Sequence, residues 1–187
     1  MTYKQIYKTG NNFDDILMIS DGEYLTGLSF VDSKDVTKYT ADCSEKDLKV
    51  FRETIKWLDI YFSGKSPEFT PKYKLTNLTP FRQAVIDVLK TIKFGEVLTY
   101  KDIANKLVKN KSLKGISAQA VGGAVGWNPI CIIIPCHRVI GSDGCLTGYS
   151  GGIKNKFLLL TLEKNDMHKY FIPKKGTSLW KDVNGVI

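Results

Sequence analysis

Long apolar runs are missing from this chain. No stretch approaches the roughly 20 residues of a membrane helix, which excludes a bilayer-spanning helix. The opening Met1-Thr2-Tyr3-Lys4-Gln5 lacks the apolar core of a signal peptide. Free thiols in a reducing cytoplasm are therefore expected, with no membrane partner. Histidine is scarce, with only His137 and His168, and the four cysteines (Cys43, Cys131, Cys136, Cys145) form no C-x-x-C pair. Nothing has zinc-like ligand spacing, so no metal is expected. Acidic residues are outnumbered, 19 Asp and Glu against 27 Lys and Arg, for a net charge of +8. That balance favours a polyanionic partner, nucleic acid above all, although many basic proteins bind none and charge alone decides nothing.

At 187 residues, 43% hydrophobic and 25% charged, the chain can bury a real core in one domain or two small ones. Residues 1–75 read as a small N-terminal α/β domain. Ile16-Leu17-Met18-Ile19 and Glu23-Tyr24-Leu25-Thr26-Gly27-Leu28 flank Ser20-Asp21-Gly22, a β-hairpin signal. A helix is predicted from Ser44 to about Phe62, with Leu48, Phe51, Ile55, Leu58 and Phe62 as its core stripe and Ser44-x-x-Asp47 as its capping box. Ser63 to about Asn77, with Gly64, Pro67 and Pro71, reads as a linker.

Residues 76–187 read as a second, mainly helical domain, so the fold class is α+β. Thr79-Pro80 opens a helix with Phe81, Val85, Val88, Leu89 and Ile92 inward. Thr99-Tyr100-Lys101-Asp102 is another capping box, and a basic loop from Lys109 to Gly115 separates its short helix from one spanning Ala118 to about Trp127, capped by Ser117. Two short helices in succession predict a helix-turn-helix with a long connection. Ile153 to Glu163 is a further predicted helix. The tail from Lys164, with Tyr170, Phe171 and Trp180, has no assigned role.

The Ala118 helix breaks a local rule. Gly122 and Gly123 in its middle cost about 1 kcal/mol each relative to alanine, and Ala118, Ala120 and Ala124 are small too. Close helix packing is the plainer reading. The functional one is a helix laid into a DNA groove, and the minor groove, about 6 Å wide against about 12 Å for the major, suits an all-small face. Lys109, Lys111 and Lys114 would then hold phosphates, or else simply solvate a loop.

The most informative stretch is Ile132-Ile133-Ile134-Pro135-Cys136-His137-Arg138-Val139. The apolar run reads as a buried strand that stops at Pro135, with Cys136 held just past its end on a fixed backbone. A glycine-rich loop, Gly148-Tyr149-Ser150-Gly151-Gly152, follows closely. A cysteine is often only a small buried hydrophobe, and a Cys-His pair alone is more often structural, but the polar residues crowding Cys136 and the glycine-rich loop that follows favour a nucleophile.

These residues resemble the O6-alkylguanine-DNA alkyltransferases, or methylated-DNA–protein-cysteine methyltransferases. The matching segments run in the family's order: Phe94-Gly95-Glu96-Val97-Leu98-Thr99-Tyr100, Ala120-Val121-Gly122-Gly123-Ala124, Asn128-Pro129, Ile134 to Val139, and Gly148 to Gly152. They cover roughly residues 79–165, while the first 75 residues match weakly. The resemblance implies a DNA repair protein that flips O6-alkylguanine, and O4-alkylthymine, out of double-stranded DNA approached through the minor groove. It moves the alkyl group once, irreversibly, to its own cysteine, as a monomer without cofactor. Cys136 would be the nucleophile. A free cysteine of pKa about 8.5 is only ~3% thiolate at pH 7, so His137 would take its proton through a water while Glu163 orients the imidazole. Tyr100 would donate to the leaving guanine and Asn128 would brace the turn. Backbone groups of Cys136 and Val139, with Ser150, would read the base edge, and Tyr149 would stack on it. Ala118, Gln119, Ala120, Gly122, Gly123, Arg138 and the three lysines would contact DNA.

Two departures stand out. Gln119 sits where many members carry the arginine that fills the gap left by the flipped base, and Cys131 sits where proline is common. Three other readings compete. A non-reacting lesion binder would lack the cysteine. A cysteine hydrolase leaves the small-residue helix unexplained. A plain DNA-binding regulator should carry base-reading side chains on that helix.

Overall fold

Strands gather early in the chain and helices follow, as the change from alternating to 3.6-residue patterning dictates. The structure, a computed structural model, describes residues 1–10, 12–33, 43–109 and 115–172. Lys111, Lys114 and Trp180 lie outside the described residues. The chain divides into two compact units, Met1–Asn77 with Pro129–Ile133, and Leu78–Asn128 with Ile134–Ile187. Among the described residues no helix is long and apolar enough to cross a membrane.

The first unit is built on β1 (Thr2–Tyr7), β2 (Ile16–Ser20), β3 (Leu25–Phe30) and β4 (Cys43–Glu45), in the sheet order β3-β2-β1-β4. β1 and β2 pair antiparallel, as do β2 and β3, the latter forming the expected hairpin, while β4 runs parallel to β1. Every residue of β2 is buried, as its unbroken apolar run requires. Helix α1 (Lys49–Phe62) buries Phe51, Trp57, Leu58, Tyr61 and Phe62, and the Phe62 ring stacks on Tyr7 of β1 with centroids 6.0 Å apart.

Three expectations fail here for physical reasons. The helix predicted from Ser44 starts only at Lys49, because Cys43–Glu45 pair with Thr2–Lys4, and Leu48 then stands at the N-cap without a side-chain bond. The segment read as a linker is tied down: Leu25 N donates to Lys72 O at 2.9 Å and Lys74 N to Leu25 O at 2.9 Å. The Ile132–Ile134 run is a turn, not a strand. Leu28 N donates to Pro129 O at 2.8 Å and Cys131 N to Leu28 O at 2.9 Å, after which the chain reverses at Ile132, whose φ is 67°. An apolar run reports burial, and this one is buried by a reversal rather than by extension.

In the second unit α2 (Pro80–Lys90) begins as predicted, with the Thr79 hydroxyl accepting from Arg82 N and Pro80 at its first position. The Thr99–Asp102 capping box also forms. Asp102 accepts from Thr99 N at 2.9 Å, and Thr99 Oγ1 from Asp102 N at 3.0 Å. It opens α3 (Tyr100–Lys109), and Ser117 caps α4 (Ala118–Gly126). Two short strands, β5 (Leu98–Thr99) and β6 (Val139–Ile140), pair in parallel. Helix α5 (Ile153–Leu162) packs Ile153 and Leu160 against Ile140 and Leu146, with Phe157, Met167, Tyr170 and Ile172 around them. Part of the unassigned tail therefore closes this core.

Phe51 is fully buried in the first unit. Phe51→Ala is expected to cost about 3–5 kcal/mol in urea denaturation, and a loss below about 1 kcal/mol would place it outside a packed core.

Candidate active site

The site is assembled by the two-residue β5–β6 ladder. Leu98 faces Val139 and Thr99 faces Ile140, so the first residue of α3, Tyr100, stands beside the exit of the cysteine turn. That turn is a single 3₁₀ stretch, Cys136–Arg138, begun by Pro135 and closed by Arg138 N donating to Pro135 O at 3.1 Å. All three of its side chains are buried.

Cys136 is held from the end of α4. Asn128 Nδ2 donates to Ile134 O at 2.9 Å and to Cys136 Sγ at 3.1 Å. The first bond fixes the turn, and the second stabilises sulfur best when it is charged.

Glu163 stands at the C-cap of α5, where the ordinary place of a helix-end charge is solvent. It is instead 2% exposed. Its Oε1 lies 2.9 Å from His137 Nε2 and accepts from Arg138 Nη2 at 2.8 Å; its Oε2 accepts from Arg138 Nε at 2.9 Å and from Gly95 N at 3.3 Å. Arg138 Nη1 also donates to Ile92 O at 2.6 Å. Arg138, expected on DNA, therefore turns its guanidinium inward. A planar fork finds its best partner in a buried carboxylate, and that correction removes it from the DNA contacts.

Burial pushes the Glu163 carboxyl up, but the hydrogen bonds and charges of His137 and Arg138 outweigh it and hold the group below the usual carboxylate range. Burial pushes His137 below its ordinary value, with the Glu163 bond opposing. The permanent cation is Arg138, so the arrangement is an ionised Glu163 beside a neutral imidazole. An ionised carboxylate only accepts, so Nε2 carries the proton and the basic lone pair lies on Nδ1.

Tyr100 donates its hydroxyl to Thr147 O at 3.2 Å. Burial, then the Cys136 sulfur, pushes its phenol up to about 12, so it keeps its proton as a donor. A Cβ on Gly148 would sit 2.5 Å from the Tyr100 hydroxyl, and Gly148 has φ +71°, so glycine is required there twice over. Tyr149 is buried edge-on to the His137 ring, with centroids 6.3 Å apart, and Ser150 is half-buried. The Val139 carbonyl accepts from Lys156 Nζ at 2.6 Å.

On α4, Val121, Ala124 and Val125 face inward, while Ala118, Gln119, Ala120 and Gly123 are exposed. A Cβ on Gly123 would meet nothing within 4 Å, and one on Gly122 would make only an ordinary contact with Tyr100. Internal packing therefore does not dictate these small residues. Lys109 is exposed at the end of α3. Among the described residues no group of three His, Cys, Asp or Glu is placed to hold a metal.

Sequence reasoning missed Lys156 and Asn155, both buried on α5, where Asn155 Nδ2 holds Gly151 O at 2.7 Å. The signal was there for Lys156, which shares a helical face with Ile153, Leu159 and Leu160.

Residues 3–75 match the ribonuclease-like domain of 6-O-methylguanine DNA methyltransferase, and residues 80–165 match its DNA binding domain. A methylated-DNA–protein-cysteine methyltransferase of Methanosarcina barkeri is 43% identical over 152 residues, covering 81% of this chain and 92% of its own. The chain belongs to the methylated-DNA–protein-cysteine methyltransferase family. Among solved members, the Mycobacterium tuberculosis O6-methylguanine methyltransferase superposes with a TM-score of 0.73 at 36% identity, covering 88% of this chain and 93% of its own. The M. tuberculosis protein in complex with DNA gives a TM-score of 0.71 at 34% identity, over 90% of this chain and 94% of its own.

The charged pair sets a pH dependence. His137, with its value lowered, stays neutral in the fold while the unfolded chain takes up a proton below about 6.5. Glu163, also lowered, adds stability above its ordinary value of 4.5 that is lost as pH falls. Stability should therefore decline from mildly acidic pH downward, and the gap between wild type and Glu163→Gln should narrow only below about 4.5, where the carboxylate's own contribution is lost. Denaturant midpoints at stepped pH test this, and a gap independent of pH would place the charge elsewhere.

Proposed function

We propose that this chain repairs double-stranded DNA by moving an alkyl group from O6 of guanine to Cys136, once per molecule. The observation that supports this most is a buried cysteine with an amide donor on its sulfur, next in sequence to an imidazole whose basic face is set by an ionised glutamate. That is the nucleophile, base and orienter arrangement.

In this reading the Cys136 proton passes through a water to His137 Nδ1. The thiolate attacks the alkyl carbon, a C–S bond forms, the C–O6 bond breaks, and its electron pair leaves on guanine. Tyr100, holding its proton, donates to the guanine ring as that charge develops. Backbone groups of Cys136 and Val139, with Ser150, read the base edge, and Tyr149 stacks on it. The product is a thioether, which nothing in the site can cleave. No cofactor enters, because the substrate carries the group that moves.

The base reaches this pocket by flipping from the duplex. α3 and α4 serve as a helix-turn-helix in the minor groove, with Ala118, Ala120, Gly122 and Gly123 against the groove and Gln119 filling the vacated stack. Lys109, with Lys111 and Lys114, holds phosphates. The open space over Gly123 supports this, since a packing role would leave none. The protein acts as a monomer in the cytoplasm.

Intact-protein mass after mixing with a duplex carrying one O6-methylguanine is the direct test. A single gain of about 14 Da in wild type, absent in Cys136→Ser, is expected. A hydrolase would return to its starting mass, and tight lesion binding without a gain would mark a recognition protein.

Gln119 lacks the charge and plane of the arginine that many family members use there. Gln119→Arg should therefore raise duplex affinity or transfer rate by about tenfold. Titration of fluorescent duplex and single-turnover kinetics measure both, and no change in either would refute Gln119 as the inserted residue.

A further inference from the structure

Lys156 is the only buried lysine among the described residues, and it is fully buried. It rises from the first turns of α5, and its ammonium donates to Val139 O at 2.6 Å and Thr147 O at 2.7 Å. The first carbonyl ends the cysteine turn. The second precedes the Gly148–Gly152 loop. No carboxylate pairs with it among the described residues. The ionisable groups that act on it electrostatically are the Cys136 and Cys145 thiols and His137, while the Tyr100 hydroxyl shares its Thr147 acceptor.

An apolar side chain of similar length would fill this place without desolvating a charge, as Ile153, Leu159 and Leu160 do on the same face. A cation here needs a reason, and the shared carbonyl supplies one. Tyr100 must release Thr147 O before it can donate to a substrate, and a buried carbonyl left without a donor opposes that release. With Lys156 on the same oxygen, the carbonyl stays satisfied whichever way Tyr100 points.

We propose that Lys156 is a positioning residue for alkyl transfer: it ties the cysteine turn to the substrate loop, frees Tyr100 to turn to the leaving base, and sets a positive charge at the end of the Cys136–Arg138 turn. The proposal rests on the reading of Cys136 as nucleophile and Tyr100 as donor. Burial pushes the ammonium down to about 8, with the Cys136 and Cys145 sulfurs opposing, so its charge is present at neutral pH and is lost in mild alkali.

The test is single-turnover transfer from a saturating O6-methylguanine duplex across neutral to alkaline pH, for wild type, Lys156→Met and Lys156→Arg. The same pH series of iodoacetamide labelling at Cys136, read by peptide mass without DNA, runs alongside. Wild-type transfer should pass through a maximum and decline with a midpoint near about 8. Lys156→Met should transfer about tenfold more slowly or worse at neutral pH, with unchanged affinity for undamaged duplex and no alkaline decline. Its Cys136 labelling midpoint should move to higher pH, and Lys156→Arg should bring that midpoint back. An unchanged rate and midpoint in Lys156→Met would overturn the proposal. If that variant fails to fold, an alkaline plateau in wild type overturns it equally. If wild type transfers nothing to Cys136, the nucleophile reading fails, while the labelling midpoints still judge Lys156.

Discussion

The carboxylate of Glu163 is the fixed point of the second unit. A negative charge in the interior is sustained only when opposite charge and donors surround it. Here Arg138 supplies a fork, Gly95 a backbone N–H, and His137 the remaining bond. The partners come from two pieces of chain, the turn after Pro135 and the bend after α2, and the carboxylate itself from the C-terminus of α5. The ion therefore does more than satisfy one histidine. It fastens three elements to a point, and it can do so only while charged. Removing Arg138 would leave that charge uncompensated, which is why the residue beside the histidine must be a permanent cation rather than one that titrates.

Backbone economy explains how the remaining groups arrive. One two-residue ladder, Leu98 with Val139 and Thr99 with Ile140, aligns the start of α3 with the end of the cysteine turn. The turn itself is forced by Pro135 and by the reversal at Ile132, a β-branched residue at φ 67°. That conformation costs on the order of 1–3 kcal/mol, and it persists because Ile132 is 2% exposed and its neighbours Ile130 and Ile134 are fully buried. The strain lies four residues upstream of Cys136. Hydrophobic burial holds the main chain in a shape that local preference would refuse.

Much of this was legible in the sequence where local chemistry decides the structure. Thr79-Pro80, Thr99–Asp102 and Ser117 mark helix starts because capping bonds are made within one turn. The same logic failed at Ser44, where a distant strand claimed the backbone before a helix could. Ile132–Ile134 misled because hydrophobicity encodes burial and not direction. The partners of Arg138 and Lys156 were illegible for a common reason, although the helical face of Lys156 marked it as inward. The default for a long cation is solvent, and only the tertiary arrangement shows that one meets a buried carboxylate and the other two carbonyls. Cys136, His137 and Glu163 were named as a group only through the family's pattern, since nothing local links residues so far apart in sequence.

A site this tightly bonded would suit a multiple-turnover enzyme poorly. Release of product commonly limits such enzymes, and it requires loops that reopen. Here the glycine-rich loop is pinned by Lys156 at Thr147, by Asn155 at Gly151 and by Tyr100 at Thr147. The cysteine is only 4% exposed. A reaction that ends in a permanent thioether has no regeneration step to protect, so rigidity carries no kinetic penalty after the transfer. It must permit one entry of a base, and entry can draw on the binding energy of DNA. Preorganisation can then be taken further than turnover would allow, with a buried carboxylate fixing the His137 tautomer before the substrate arrives.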